Sequence, residues 1–332
     1  MTAAANIQLL SGFDDPKLSP EVWSALLHRG DTNVVFLTWH WQRAWWESFG
    51  RGQLLLLLAE REGAPVALAP LFADGGMVFF TGSGGSDYLD FIGDISEPEI
   101  LDGLLRVARE QTREFVGFRF YHVPDGSRTG GLLQAAAARL GLACHDEGDL
   151  AAPALDLASD PAAAQAAARK KSLVRHEKSF LRDGPLAVTH RRDGRQIIEH
   201  LPDFFEQHVQ RWAATPHPSL FNDPAQRAFY RRLAELAADT GWLRFTRVEW
   251  QGRAIAHHFG FCYEGSFLWY KPAFAIDLAR QSPGEVLLRH LLLTAGAEGA
   301  KTFDFGLGEE AFKQRFANKT NRVRTWGLYP TA

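Results

Sequence analysis

Gln281-Ser282-Pro283-Gly284-Glu285-Val286 opens the stretch that decides the fold. An apolar run follows to Ala300, then Lys301-Thr302-Phe303-Asp304-Phe305-Gly306-Leu307-Gly308, then Glu310-Ala311-Phe312-Lys313. The order reads as a loop, a buried helix, a short strand ending in glycines, and a lysine-bearing helix. Ser282 falls where an N-cap is needed, Pro283 at the first helical position, and Glu285 completes an S-x-x-E capping box. Leu287, Leu288, Leu291, Leu292 and Leu293 leave almost no polar face, which predicts a helix inside a sheet-covered core. Its start is either a well-capped helix end and nothing more, or an anion site built from free N–H groups and the positive end of the dipole.

Working outward, three strands precede this stretch: Trp242 to Trp250, Ala254 to Tyr263 and Phe267 to Phe274, joined by Gln251-Gly252-Arg253 and Glu264-Gly265 as an antiparallel meander. Arg322 to Leu328 reads as a closing strand. Upstream, Pro161 opens an alanine-rich helix that turns basic. Its Lys171, Arg175, Lys178 and Arg182 recur at i, i+4, i+7 and i+11 on one face. That stripe is either a solvated face or a dock for phosphates or acidic sugars. The first half runs in a shorter version of the same order. A helix carries Trp41, Trp45 and Phe49, a hairpin joins Gln53–Glu60 to Pro65–Phe72, and a strand enters a glycine-rich loop at residues 82–90; helices and a strand follow. Asp149 to Asp160 reads as a linker, giving two domains, 1–150 and 151–332. The expected class is mixed α/β with largely antiparallel sheets.

Composition bounds the function. The chain has 332 residues, 46% apolar and 23% charged, as expected of a folded protein with two domains. A formal charge of −3 argues against a dedicated DNA or polyanion binder, although it permits a local basic patch. Cys144 and Cys262 are the only cysteines, which excludes a disulfide framework and a thiolate metal site. The longest aliphatic run, Leu54 to Leu58, is far too short to span a membrane, and no basic-then-apolar leader is visible; a cytoplasmic protein is expected. Walker, dinucleotide, G-x-S-x-G, HExxH and EF-hand patterns are all missing, and no bound metal or permanent cofactor is expected.

Gln281-x-x-Gly284-x-Val286, after a meander and before a buried helix, resembles the pyrophosphate loop of the GNAT acyltransferases, whose pattern is Q/R-x-x-G-x-G/A. The last position departs from it, with Val286 for Gly or Ala. Phe36-Leu37-Thr38 with the tryptophan helix, Ser86-Asp87-Tyr88-Leu89-Asp90, Arg211-Trp212, Ser282-Pro283-Gly284, and Phe303-Asp304-Phe305-Gly306 with Phe312-Lys313 resemble one GNAT branch. These are the two-lobed acetyltransferases found near bacterial cellulose and exopolysaccharide genes. Phe312-Lys313-x-x-Phe316 is similar also to the Fem aminoacyltransferases of peptidoglycan. The resemblance spans nearly the whole chain. It implies two GNAT-like lobes packed together, with a donor site in the second and the acceptor held between them.

The activity so implied is transfer of an acyl group from acyl-coenzyme A, as cosubstrate, to an amine of a sugar, amino acid or peptide by direct attack. The alternatives are a Fem-like transferase using aminoacyl-tRNA, a carrier-protein donor, and a non-catalytic polysaccharide-related scaffold. Gln281, Ser282, Gly284, Glu285 and Val286 are the donor-binding candidates, with backbone groups of Tyr270 to Phe274 polarising the carbonyl. Asp304, His258 and Glu249 are candidates for the base. His258 shares its strand face with small residues that would leave room for substrate. Tyr270 is a candidate to protonate the departing thiolate, and Lys313 to stabilise negative charge. Asp87, Tyr88 and Asp90, with Lys171, Arg175 and Arg211, are candidates for substrate recognition. For each of these a structural role is the alternative.

Overall fold

Three two-residue turns shape the sheets. Glu62-Gly63, Gln251-Gly252 and Glu264-Gly265 place both residues at positive φ (51° and 77°, 51° and 77°, 49° and 79°). This is the mirror-image turn whose twist matches that of paired strands, and glycine at the second position removes most of its steric cost. The structure, a computed structural model, describes residues 5–213 and 215–331. Its contacts divide the chain into two units: Met1–Ala151 with Asn321–Ala332, and Ala152–Thr320.

The first unit contains β1 (Asn6–Leu9), α1 (Pro20–Leu27), α2 (Trp39–Phe49), β2 (Gln53–Arg61), β3 (Ala64–Asp74), β4 (Met77–Phe80), β5 (Ile92–Gly93), α3 (Pro98–Gln111), β6 (Gly117–Pro124) and α4 (Thr129–Leu140). It also takes most of β7 (Leu142–Asp156). Its strands follow the order β1-β2-β3-β4-β6, then the C-terminal strand, then β7. Pairing is antiparallel from β1 to β4; β4 and β6 are parallel, and α3 lies between them in sequence.

The second unit contains α5 (Ala163–Ala168), α6 (Lys171–Asp183), β8 (Leu186–Arg191), α7 (Gly194–Ala213), α8 (Pro224–Leu236), β9 (Leu243–Trp250), β10 (Arg253–Tyr263), β11 (Ser266–Phe274), α9 (Pro283–Ala297), β12 (Thr302–Asp304) and α10 (Ala311–Phe316). Its strands follow β8-β9-β10-β11-β12, with the end of β7 beyond β12. The meander β8 to β11 is antiparallel, and β11 and β12 are parallel across the helix α9. Each unit therefore repeats one order: three antiparallel strands, a helix, and a strand parallel to the third. The architecture is mixed α/β with mostly antiparallel sheets.

Three expectations need correction. The passage 149–160 is not simply a linker. Up to Asp156 it is the end of β7, because Ala151 to Leu155 are all buried and the Pro153 carbonyl accepts the Phe305 N–H at 3.0 Å. The expected second domain, 151–332, stops at Thr320; the final strand β13 (Lys319–Pro330) pairs with β6 of the first unit. The basic helix is also broken in two at Arg169-Lys170, where the Lys170 ammonium is drawn to the Arg315 carbonyl and lies 4.7 Å from the Phe316 ring centre.

Candidate functional site

α9 forms because its leucines have a core on nearly every side. Val286, Leu287, Leu291 and Leu292 are wholly buried with Ile255, Ala256, Phe267 and Phe303, and α5 and α6 pack against the helix from outside the sheet. Polar clamps fix α6 to it. Glu177 pairs with Arg289 at 3.0 Å and His290 at 2.7 Å, and His176 Nδ1 lies 2.8 Å from the Glu285 carboxylate. Arg315 from α10 reaches the other Glu285 oxygen at 2.6 Å.

The capping box is therefore not formed. Ser282 adopts the left-handed conformation (φ 58°, ψ 56°) at the end of the 3-10 turn Ile276–Gln281, and its side chain makes no cap bond. Glu285 turns to tertiary partners instead. Burial pushes its carboxyl up, but Arg315 and His176 outweigh that and hold it below the usual glutamate range. The negative charge at the helix start is thus neutralised. The Ser282 carbonyl accepts the N–H groups of Glu285 and Val286, and Pro283 has none, so Gly284 carries the N–H left at this end. A Cβ there would press on the Phe274 ring at 3.2 Å, so glycine keeps the approach to this N–H open. Val286 points into the core, away from the approach to that N–H.

Beside this helix start the sheet opens. β12 pairs with β11 only at Ser266–Thr302, Phe267–Phe303 and Leu268–Asp304, then leaves through Gly306 (φ 70°) and Gly308 (φ 120°), while β11 runs on to Phe274. The Ala275 N–H bonds the Ile255 carbonyl of β10. By alternation, the backbone groups of Pro272 and Phe274 face the side that β12 has vacated. Pro272 lacks an N–H, and its carbonyl accepts Arg211 Nη1 at 2.7 Å. The Arg211 guanidinium lies 4.4 Å from the Phe274 ring centre, and burial lowers its pKa to about 10, still charged at neutrality. The Tyr270 N–H is committed elsewhere, to His258 Nε2 at 3.1 Å. By this alternation the Phe274 N–H is the donor that faces the vacated side of this edge.

Strand alternation sorts the remaining candidates. Phe267, Trp269 and Phe303 sit in the core under α9, so Tyr270 and Asp304 face the opposite side, where the Tyr270 ring packs against Tyr230 and Phe261. Asp304 lies at the vertex of the opening, and its Oδ1 accepts the Gly306 N–H at 2.8 Å. His258 is on the α9 side and fully buried, with its ring stacked on Trp269. The small residues beside it make room for the ring itself: a Cβ on Gly260 would lie 2.1 Å from His258 Cε1. His258 is thus a positioning group for β11, and the expected substrate space on its face is filled. Lys313 is buried too; its ammonium donates to the Leu307 carbonyl at 2.5 Å and pairs with Glu310 at 2.9 Å, closing the glycine turn. Glu249 pairs with Arg247 at 3.3 Å on β9.

Lys171 and Arg175 lie elsewhere on the same unit. A cavity of about 680 Å³ is lined by Arg169, Lys171, Arg175, Lys178, Arg182 and Arg280, with Gln281 at its edge. Arg280 joins this cluster from the loop after β11, and the clamps of His176, Glu177 and Arg315 lie outside the sequence expectations. Glu177 had a usable signal: it sits between Leu173 and Phe180 on the buried face of α6, an acid on an apolar stripe.

In the first unit, Asp90 is fully buried and accepts from Thr32 Oγ1 and Thr129 Oγ1, both at 2.6 Å, and from the Phe91 N–H at 2.8 Å. Tyr88 is also buried, its ring 5.9 Å from that of Phe36, and Asp87 is half-buried. Both Asp90 oxygens are thus used within the fold, and its proposed part in recognition gives way to a structural one. α3, the counterpart of α9, begins at Glu97-Pro98-Glu99, whose carboxylates face Arg61. Two carboxylates share that one arginine, so this helix start keeps a net negative charge that repels an anion.

Three buried histidines give the second unit a defined pH response. His208, His257 and His258 each have a pKa pushed down to about 3, by burial first; nearby arginines add to this at His208 and His257, and His190 at His258. Unfolding restores the ordinary value of about 6.5, so below it the unfolded chain takes up protons that the native state refuses. Stability therefore falls as pH drops from about 6.5 toward 3, by about 1.4 kcal/mol per pH unit for each histidine held neutral. Urea midpoints measured between about pH 7 and pH 5 should show the fall, and His257→Gln should make it shallower. A midpoint that stays constant over that range contradicts it.

Residues 167–314 match the family model described as an acetyltransferase (GNAT) domain. Comparison with curated proteins gives no match. Among solved structures the chain is similar to FemX (TM-score 0.66, 11% identity, 95% of this chain and 96% of that one). It is similar also to L-PGS from Bacillus licheniformis (0.53, 14%, 87% and 90%) and to a tandem GNAT protein from the clavulanic acid biosynthesis pathway (0.51, 14%, 99% and 99%). At these identities the likeness is one of fold. With the family match, the second unit carries a GNAT-type domain, and the protein is an acyltransferase. Among the described residues no helix is long and apolar enough to cross a membrane.

Proposed function

We propose that the protein moves an acyl group from acyl-coenzyme A to an amine on a sugar, amino acid or peptide. The observation that carries this is the opened β11 edge, where the Phe274 ring lies against Gly284 at the start of α9. A thioester lying along that edge accepts the Phe274 N–H at its carbonyl oxygen, and the diphosphate meets the helix start. The internal neutralisation of Glu285 favours an anion there, whereas the acidic start of α3 disfavours one in the first unit.

In this reading the amine nitrogen attacks the carbonyl carbon and the carbon–sulfur bond breaks. Asp304 takes the proton released by the new ammonium, and Tyr270 returns one to the thiolate. The sugar-linked acceptor class rests on the resemblance to acetyltransferases found near cellulose and exopolysaccharide genes. Calorimetry with acetyl-coenzyme A, followed by thiol release in the presence of an amine panel, tests the reading. Binding without any thiol release across sugar, amino acid and peptide amines counts against the acceptor class; absence of binding counts against the donor.

The basic cavity favours a second reading, transfer from an aminoacyl-tRNA. Binding of tRNA that weakens steeply with salt, together with no binding of coenzyme A, would select it.

A further inference from the structure

We propose that the cavity between α6 and the loop Ile276–Gln281 binds a phosphate monoester of the donor, distinct from the diphosphate at α9, and thereby selects donors carrying that extra phosphate. This rests on the acyl-coenzyme A reading, and the monoester is then the one on the donor's ribose.

The charge on α6 is sorted by face. Its acid Glu177 turns inward to Arg289 and His290, and its His176 turns to Glu285. Those contacts leave Lys171, Arg175, Lys178 and Arg182 to the cavity, which the His176 ring also lines. Arg182 pairs with its neighbour Asp183. No carboxylate among the described residues pairs with Arg169, Lys171, Arg175, Lys178 or Arg280. Cations gathered around one hollow repel one another, and a phosphate dianion removes that cost by bridging them.

The face is also more than a solvated stripe. The loop after β11 borders it with Arg280 and Gln281, leaving an open hollow of about 680 Å³, within the size range of small-molecule sites. Arg280 and Gln281 run directly into Ser282-Pro283-Gly284. Hence a ligand whose diphosphate meets the Gly284 N–H places its nucleoside end beside the cations. Arg175, Lys178 and Arg280 read the monoester there.

Calorimetry of the full chain with coenzyme A and with dephospho-coenzyme A, which lacks only the ribose phosphate, tests this. Wild type should bind coenzyme A about 10- to 100-fold more tightly, the value of one or two charge-assisted hydrogen bonds. Arg175→Ala with Lys178→Ala should remove most of that difference by weakening coenzyme A alone. Both side chains are exposed, so folding is not at issue. Equal binding of the two ligands by wild type overturns the inference and leaves the donor reading standing. An equal loss for both ligands in the variant overturns it as well, since the cations then act only as a general attractive field. Binding of neither ligand by wild type removes both readings.

Discussion

Asp304→Asn lowers kcat/KM for acyl transfer by about 10²- to 10⁴-fold, the range expected when a positioned general base is lost. The substitution separates charge from architecture. Asparagine keeps a carbonyl oxygen to accept the Gly306 N–H that Asp304 Oδ1 now holds at 2.8 Å, so the turn out of β12 is preserved. What disappears is the carboxylate at the point where β11 and β12 part. Donor affinity should change little, because the proposed diphosphate and carbonyl contacts are assigned to α9 and β11 and not to Asp304. The informative pair of measurements is therefore thiol release and donor binding on the same variant. Activity within about threefold of wild type, at unchanged binding, would remove Asp304 from the proton path.

Asp90→Ala should cost the first unit about 2–4 kcal/mol, because it leaves buried donors without their acceptor at about 1–3 kcal/mol each. Three donors converge on this carboxylate, and the two threonines are themselves buried, so alanine leaves two hydroxyls and an N–H without an acceptor. Asp90→Asn keeps one acceptor oxygen and should fall between alanine and wild type. Urea unfolding followed by tryptophan fluorescence reads the effect, since Trp41 is held to Ser86 Oγ at 2.9 Å near the same loop. A loss under about 1 kcal/mol for alanine would show that the network relaxes around the gap.

How much of this was legible in the sequence depends on the range of the interaction. Turn chemistry is local, so Glu62-Gly63, Gln251-Gly252 and Glu264-Gly265 announced their hairpins. The unbroken leucines of α9 announced burial. The S-x-x-E pattern at Ser282 was also local, and it misled: the 3-10 turn before it leaves Ser282 left-handed, and Glu285 finds Arg315 and His176, distant in sequence. The alanine-rich end of β7 lacks the β-branched residues that mark strands, so only its neighbours show it to be one. Small residues beside His258 suggest room for substrate; nothing in that alternation says that Gly260 admits the imidazole ring instead.

The return of Asn321–Ala332 to the first unit has a consequence for how the chain is made. β13 lies between β6 and β7 in the strand order, so residues 1–151 leave the ribosome with an interior strand missing. Residues 152–320 are continuous and can finish first. Vectorial synthesis thus completes the later unit before the earlier one, reversing the usual order. Arrested nascent chains in which a long flexible spacer follows Thr320 and fills the exit tunnel should be cut readily by protease within the first unit and resist within the second. Equal resistance of the two would show that the first unit closes without its last strand.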